Sequence, residues 1–150
     1  MRRWLWRDGW IGWFVREIYR RTWRLIDHIP DNEKLWRAVY RRDQLYENGK
    51  IKPSFFRDRS GLSCDIARFS TVEKSRRGYV PPPWPDAAGL VGIKVSHARQ
   101  AGSDVLHKPL PGKYPNYSHS QFAAHLTTDQ AALLCKVAEF RVKPRREELA

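Results

Sequence analysis

Apolar and basic positions interleave at helical spacing in the first stretch of the chain. Trp6, Trp10, Trp13, Phe14, Ile18, Leu25 and Ile26 recur at helical spacing, while Arg3, Arg7, Arg16, Arg20 and Arg24 fill other positions. That period predicts an amphipathic helix over residues 3–27, stopped by Pro30. Gly9 and Gly12 each weaken such a helix by about 1 kcal/mol relative to alanine. Its first half is therefore expected to order against a surface, either its own domain or another molecule.

Beyond Pro30 the spacing shortens to that of strands. Leu35 to Tyr40 is aromatic and β-branched, and Glu47-Asn48-Gly49-Lys50 is a turn signal. A short strand is expected at Ser54 to Phe56. Ser70 and Glu73 have capping-box spacing, which predicts a helix over Thr71 to Arg77. Tyr79-Val80-Pro81-Pro82-Pro83-Trp84-Pro85 predicts an extended polyproline loop, because prolines lack the backbone donor that a ladder needs. Val91, Ile93 and Val95 alternate on one face and predict a strand over Leu90 to Val95. Val105 to His107 and His119 to Leu126 are further strand candidates. Thr127 is the expected cap of a last helix over about Asp129 to Phe140, burying Ala131, Leu134, Cys135 and Ala138.

The pattern predicts an α+β fold: an N-terminal amphipathic helix, a small mixed or antiparallel sheet with short helices, and a C-terminal helix. It divides as a Trp/Arg-rich helical arm (1–29), an α+β body (30–143) and a frayed tail (144–150). At 150 residues, one hydrophobic core is expected. The sequence shows no internal repeat.

Charge changes the picture more than length does. The chain carries 28 Lys and Arg against 16 Asp and Glu, a formal net charge of +12, which exceeds what solubility needs and predicts a polyanionic or acidic partner. The excess is spread along the chain, and arginine dominates the first half. Its planar fork suits phosphate. Arg37, Arg41, Arg42, Arg57, Arg59, Arg76 and Arg77 are the expected nucleic-acid contacts. Trp6, Trp10, Trp13, Phe14 and Trp23 are the expected partner-docking residues, since tryptophan beside arginine is typical of interface hot spots. The same composition suits bases stacking over a basic strand, an anionic membrane surface, or a groove on a partner protein. No apolar run is long enough to span a bilayer, and no secretory signal precedes the body. The cysteines Cys64 and Cys135 fit no paired motif, so free thiols and a cytoplasmic location are expected.

Three short polar segments carry the candidate chemistry: Leu62-Ser63-Cys64-Asp65, His107-Lys108-Pro109-Leu110-Pro111 and Asn116-Tyr117-Ser118-His119. In this order, behind Leu35-Trp36-Arg37-Ala38-Val39-Tyr40, they resemble a family of small uncharacterised bacterial proteins over residues 34–140, a resemblance that implies no particular activity. Read for mechanism, His119 is the expected general acid/base, with Asp65 or Asn116 to orient it and His107 nearby. An enzyme of defence or toxin type acting on a nucleotide or RNA is the resulting alternative, and catalysis stays open. The bland alternative is equally concrete: Asn116 and Ser118 are good turn residues, and a histidine among loops is often a satisfied structural group.

Cys64, Asp65, His107 and His119 include ligand types that zinc accepts, but their spacing matches no metal motif and no metal is expected. Arg37, Tyr40, the Gly49 turn and the following serine-containing segment also resemble the opening of ADP-ribosyltransferase-type folds, which implies NAD. Those folds need a later acidic or histidine residue on a strand, and no glutamate stands in a matching place. The cofactor is left unspecified. No P-loop, dinucleotide fingerprint, H-E-x-x-H or G-x-S-x-G motif occurs.

Overall fold

A computed structural model of the chain describes residues 24–78, 85–112 and 114–149. Their centre is one six-stranded sheet in the order β4-β5-β2-β1-β3-β6, in which every pairing is antiparallel. The strands are β1 (Lys34–Val39), β2 (Ser63–Ile66), β3 (Gly89–Lys94), β4 (Val105–His107), β5 (His119–Phe122) and β6 (Glu139–Val142). Three helices join them, α1 (Val72–Arg77), α2 (Val95–Gln100) and α3 (Thr128–Val137), with short 3-10 turns between. The fold is α+β, as the pattern of elements predicts.

Alternation along each strand separates the two faces. Leu35 and Val39 of β1, Cys64 and Ile66 of β2, Val91 and Ile93 of β3, Val105 of β4 and Phe122 of β5 all turn inward and are buried. Phe55 and Phe56, with Ala131 and Leu134 of α3, complete this core. On the opposite face α1 packs across β1 and β3. The remainder of that face carries mostly polar side chains, with Trp36 and Leu106 among them.

Caps account for the helix ends. Thr71 Oγ1 accepts from the backbone of Lys74 (3.2 Å), so the α1 cap falls on Thr71 rather than Ser70. Ser70 instead meets Ser75 through their hydroxyls (2.8 Å). Thr127 caps α3 as predicted, accepting from Gln130 N while Gln130 Oε1 accepts in return. The turn at Gly49, where φ is 78°, closes with Tyr46 donating to the Lys50 carbonyl (2.8 Å).

Several expectations are corrected. Residues 1–23 lie outside the described residues, and with them most of the predicted N-terminal helix; Arg24 to Asp27, its expected last turn, are not helical. The proline-rich loop also falls outside the described residues over 79–84. Ser54 to Phe56 forms a 3-10 turn over Pro53–Phe56 instead of a strand. Pro53 presets the first φ, and a strand would have turned one of the adjacent phenylalanines to solvent, whereas both are buried. The β3 strand ends one residue early because Val95 opens α2, a helix the alternation Val91, Ile93, Val95 disguises. The strand begun at His119 stops at Phe122, where Ala123 and Ala124 turn away to bond Asp104 O and Ser103 Oγ. α3 ends at Val137, and Phe140 belongs to β6. Ile29 and Leu149, on either side of the expected 30–143 body, are buried in the core.

Candidate functional site

Register places five residues in one row across the outer face. His119 pairs with Asp65, Asp65 with Trp36, Trp36 with Gly92, and Gly92 with Glu139. Directly opposed residues of antiparallel strands point to the same side, so the row His119–Asp65–Trp36–Gly92–Glu139 runs along the outer surface. Trp36 sits at its middle, a half-buried indole with a polar neighbour on one flank and a glycine on the other.

On the β2–β5 flank a groove of about 350 Å3 is bounded by Asp65, His119, Asn116, Leu110, Tyr40 and Trp36. Asp65 Oδ1 accepts from Asn116 Nδ2 (2.8 Å). The Ser118 hydroxyl lies 3.2 Å from the same oxygen and 2.6 Å from Asn116 Oδ1. Asn116 and Ser118 are buried, so this network fixes the carboxylate and leaves Oδ2 without a partner among the described residues. His119 is held just as firmly. Its Nδ1–H donates to the Lys108 carbonyl (2.6 Å), which in the neutral ring leaves Nε2 as the acceptor nitrogen. Tyr40 lines the same groove. Burial, reinforced by the charges of Asp65 and Asp86, raises its phenol above the ordinary value, so Tyr40 stays a protonated donor at neutral pH.

On the β3–β6 flank a larger groove of about 790 Å3 reaches from Trp36 past Gly92 to Lys34, Lys94, His97 and Arg141. Glu139 is the one carboxylate on its wall. Lys34 and Lys94 pair directly across β1 and β3, an unfavourable juxtaposition of like charges that an anion would relieve. The two grooves meet over Trp36, which lines both.

The sequence-predicted residues divide sharply. Asp65, Asn116 and His119 come together in the smaller groove. His107 does not: it pairs with Ser120, on the core face. Its Nε2–H donates to the Tyr117 carbonyl (2.7 Å) and its Nδ1 accepts from Ile26 N–H (3.1 Å). Its ring packs against Phe69 and Tyr117. With both nitrogens committed, His107 is a structural pin for residues 24–26, assisted by Tyr117 Oη donating to Arg24 O (2.5 Å). Burial lowers its pKa, which keeps it neutral in that role.

Arg37 is also on the core face. It donates to Phe55 O (3.0 Å) and Ser63 O (2.8 Å), stacks over the Phe55 ring and lies 3.8 Å from Asp58. It holds chain segments together and is not presented to a phosphate. Arg57 donates to Leu126 O and Thr128 Oγ1, Arg76 to Ala87 O, and Arg42 to Arg146 O. Arg41 pairs with Asp43 and Arg77 lies near Asp86, while Arg59 stands by Arg57 and His125 in a separate hollow. Among the described residues Arg57 and Arg59 line one hollow, Arg41 and Arg42 another, and Arg37 a third. The expected docking residues Trp6, Trp10, Trp13, Phe14 and Trp23 lie outside the described residues.

Cys64 faces the core, on the side of the sheet opposite His119, and burial pushes its thiol up to about 12. A nucleophile needs the thiolate, and the buried Cys64 thiol is held in its protonated form at neutral pH. Among the described residues no group of three or more His, Cys, Asp or Glu is placed to hold a metal ion, and no helix is long and apolar enough to cross a membrane.

Lys34, Trp36, Lys94, His97 and Arg141 were not singled out by the sequence reading. One signal for Trp36 was available: in a strand whose Leu35, Arg37 and Val39 turn inward, Trp36 must turn outward, and an indole on a polar sheet face has no packing role to explain it. The fold and site define the class, an α+β protein built on an antiparallel sheet with an aromatic-centred polar face. Compared with protein-family models, curated proteins and solved structures, the chain matches none.

Proposed function

We propose that this chain is a small basic protein that binds nucleic acid, holding a single strand across the outer sheet face with a base stacked on Trp36. The observation that carries the reading is the placement of Trp36 between two grooves, one of them walled by Lys34, Lys94 and Arg141. Stacking on an aromatic ring beside a basic track is the general solution to single-strand binding, because every base has a π face and every linkage a charge. The net charge of +12 supports it by attracting polyanions over the whole surface. Residues 1–23, rich in tryptophan and arginine, would add a docking element for a nucleic-acid-containing assembly.

Fluorescence anisotropy of a labelled single-stranded oligonucleotide tests this over a range of salt concentrations. Three phosphate contacts predict a log–log salt slope of roughly −2. An affinity independent of salt, or equal for wild type and Trp36→Ala, rejects the reading.

A second reading is favoured by one observation, the acceptor Nε2 of His119 beside an Asp65 oxygen that has no partner among the described residues, in the same groove. An imidazole with a fixed tautomer beside a fixed carboxylate can act in acid/base chemistry on a bound nucleotide. It predicts that His119→Ala removes an activity on RNA or a nucleotide while the melting temperature is kept. Retention of that activity would reject it.

A further inference from the structure

We infer that the strand held on this face is RNA, and that Asp65, with His119 beside it, recognises the ribose 2′-hydroxyl; the inference rests on the binding reading above. The two flanks of Trp36 differ in what they can accept. The Gly92 flank opens on Lys34, Lys94 and Arg141, so it takes phosphate. The Asp65 flank presents a carboxylate oxygen and, in the neutral ring, the acceptor nitrogen Nε2 of His119. A phosphate there would face like charge. A hydroxyl donor would satisfy Asp65 Oδ2 or His119 Nε2.

Spacing makes the sugar the group that reaches them. Asp65 lies directly across from Trp36 on the neighbouring strand, and adjacent strands run ~4.8 Å apart. A base lying on the indole therefore carries its own sugar over the next strand. Sugar and phosphates lie on the same side of the base, so a sugar over Asp65 takes its phosphates along β1 toward Lys34, two residues from Trp36 on the same strand and on the wall of the basic groove. Carboxylates take ribose hydroxyls in the same way at other nucleotide sites, and the 2′-hydroxyl is the group by which a protein tells RNA from DNA. Preorganisation adds to the effect. Asn116 and Ser118 are buried and already bonded to the Asp65 network, so no side chain has to be ordered when the hydroxyl arrives.

The test compares three labelled oligonucleotides of one sequence, as RNA, as DNA and as 2′-O-methyl RNA, with the full chain at fixed salt. The expected result is RNA bound about tenfold more tightly than either of the others, the worth of one hydrogen bond to a charged group. Asp65→Asn, which keeps the shape but can turn a donor where Oδ2 accepts, should abolish the preference, so that RNA and DNA bind equally. Equal affinity of wild type for RNA and DNA overturns the inference while leaving the binding reading intact. So does a base preference that persists in DNA, which would mean that Asp65 reads an exocyclic amine. Absence of binding to all three takes down both. The wild-type comparison needs no variant to fold, so it decides the question by itself.

Discussion

Trp36 and Gly92 face each other across β1 and β3, and a Cβ built on Gly92 would lie 3.8 Å from the Trp36 ring carbon Cδ1. The missing side chain is what leaves the indole an open flank toward the basic groove. At 3.8 Å the added atom makes ordinary contact and no clash. Gly92→Val should therefore raise stability, by up to about 1 kcal/mol, because valine suits a strand better than glycine does. The same valine stands where the nucleic acid would enter, so oligonucleotide affinity should fall severalfold. Urea titration and anisotropy on one variant check the two opposed signs together. If stability and affinity both rise, Gly92 has no part in the site.

Gly89, three residues back on the same strand, is constrained for a different reason. A Cβ there would come within 2.8 Å of Pro144 Cδ and 2.9 Å of the Val142 carbonyl, and neither a proline ring nor a strand backbone can swing aside. Gly89→Ala should cost about 1–3 kcal/mol, the usual penalty of overpacking. The loss should appear as a lower urea midpoint. A midpoint equal to wild type would mean that β6 and the tail are not held against β3 as described.

Arg37 and Arg42 look equivalent in the sequence and should behave differently. Arg37→Ala strips the Phe55 and Ser63 carbonyls of their donor and should destabilise the chain by about 1–3 kcal/mol. Arg42, an exposed side chain touching only Arg146 O among the described residues, should tolerate alanine within ~0.5 kcal/mol. Thermal melts of the two variants separate structural from surface arginine. Similar melting temperatures would refute the assignment.

How much of this was legible in the chain follows from the range of the signals. Strand β1 and the cap of α3 were readable because alternation and capping are local. So was the grouping of Asp65, Asn116 and His119, whose short segments put a carboxylate, an amide and an imidazole beside turn residues, although the same reading also drew in His107. Strand β2 offers one β-branched residue and no aromatic in Ser63-Cys64-Asp65-Ile66, and β6 was absorbed into the helix before it. The split between His107 and His119 was not visible at all. Both lie in strands, and which face each side chain takes depends on a register fixed by the pairings of β4 with β5 and β5 with β2. The same holds for Arg37, whose inward direction follows from Leu35 and Val39 on either side. Charge composition indicates a polyanionic partner but says nothing of which arginines remain free once carbonyls and carboxylates have been served.

His107 yields a prediction with a definite sign. Its pKa is lowered chiefly by burial; the Tyr117 carbonyl opposes that, and the charges of Arg68 and His119 add to it. The folded state therefore takes up a proton less readily than the unfolded chain, whose histidine titrates near 6.5. As pH falls through 6.5 the unfolded state binds the proton first, so stability declines with falling pH until the folded-state value is reached, and is flat below it. Above 6.5 the contribution is fully present. Protonated Nδ1 can no longer accept from Ile26 N–H, so the first local change on acidification should be loosening of residues 24–26. The carboxylates with lowered pKa values, Asp58 and Asp104, titrate well below this window and leave it clear. Urea midpoints between pH 7.5 and 5.5 should fall for wild type and stay nearly level for His107→Gln, whose amide can still donate to the Tyr117 carbonyl. Parallel slopes for the two proteins would show that His107 is not the titrating pin.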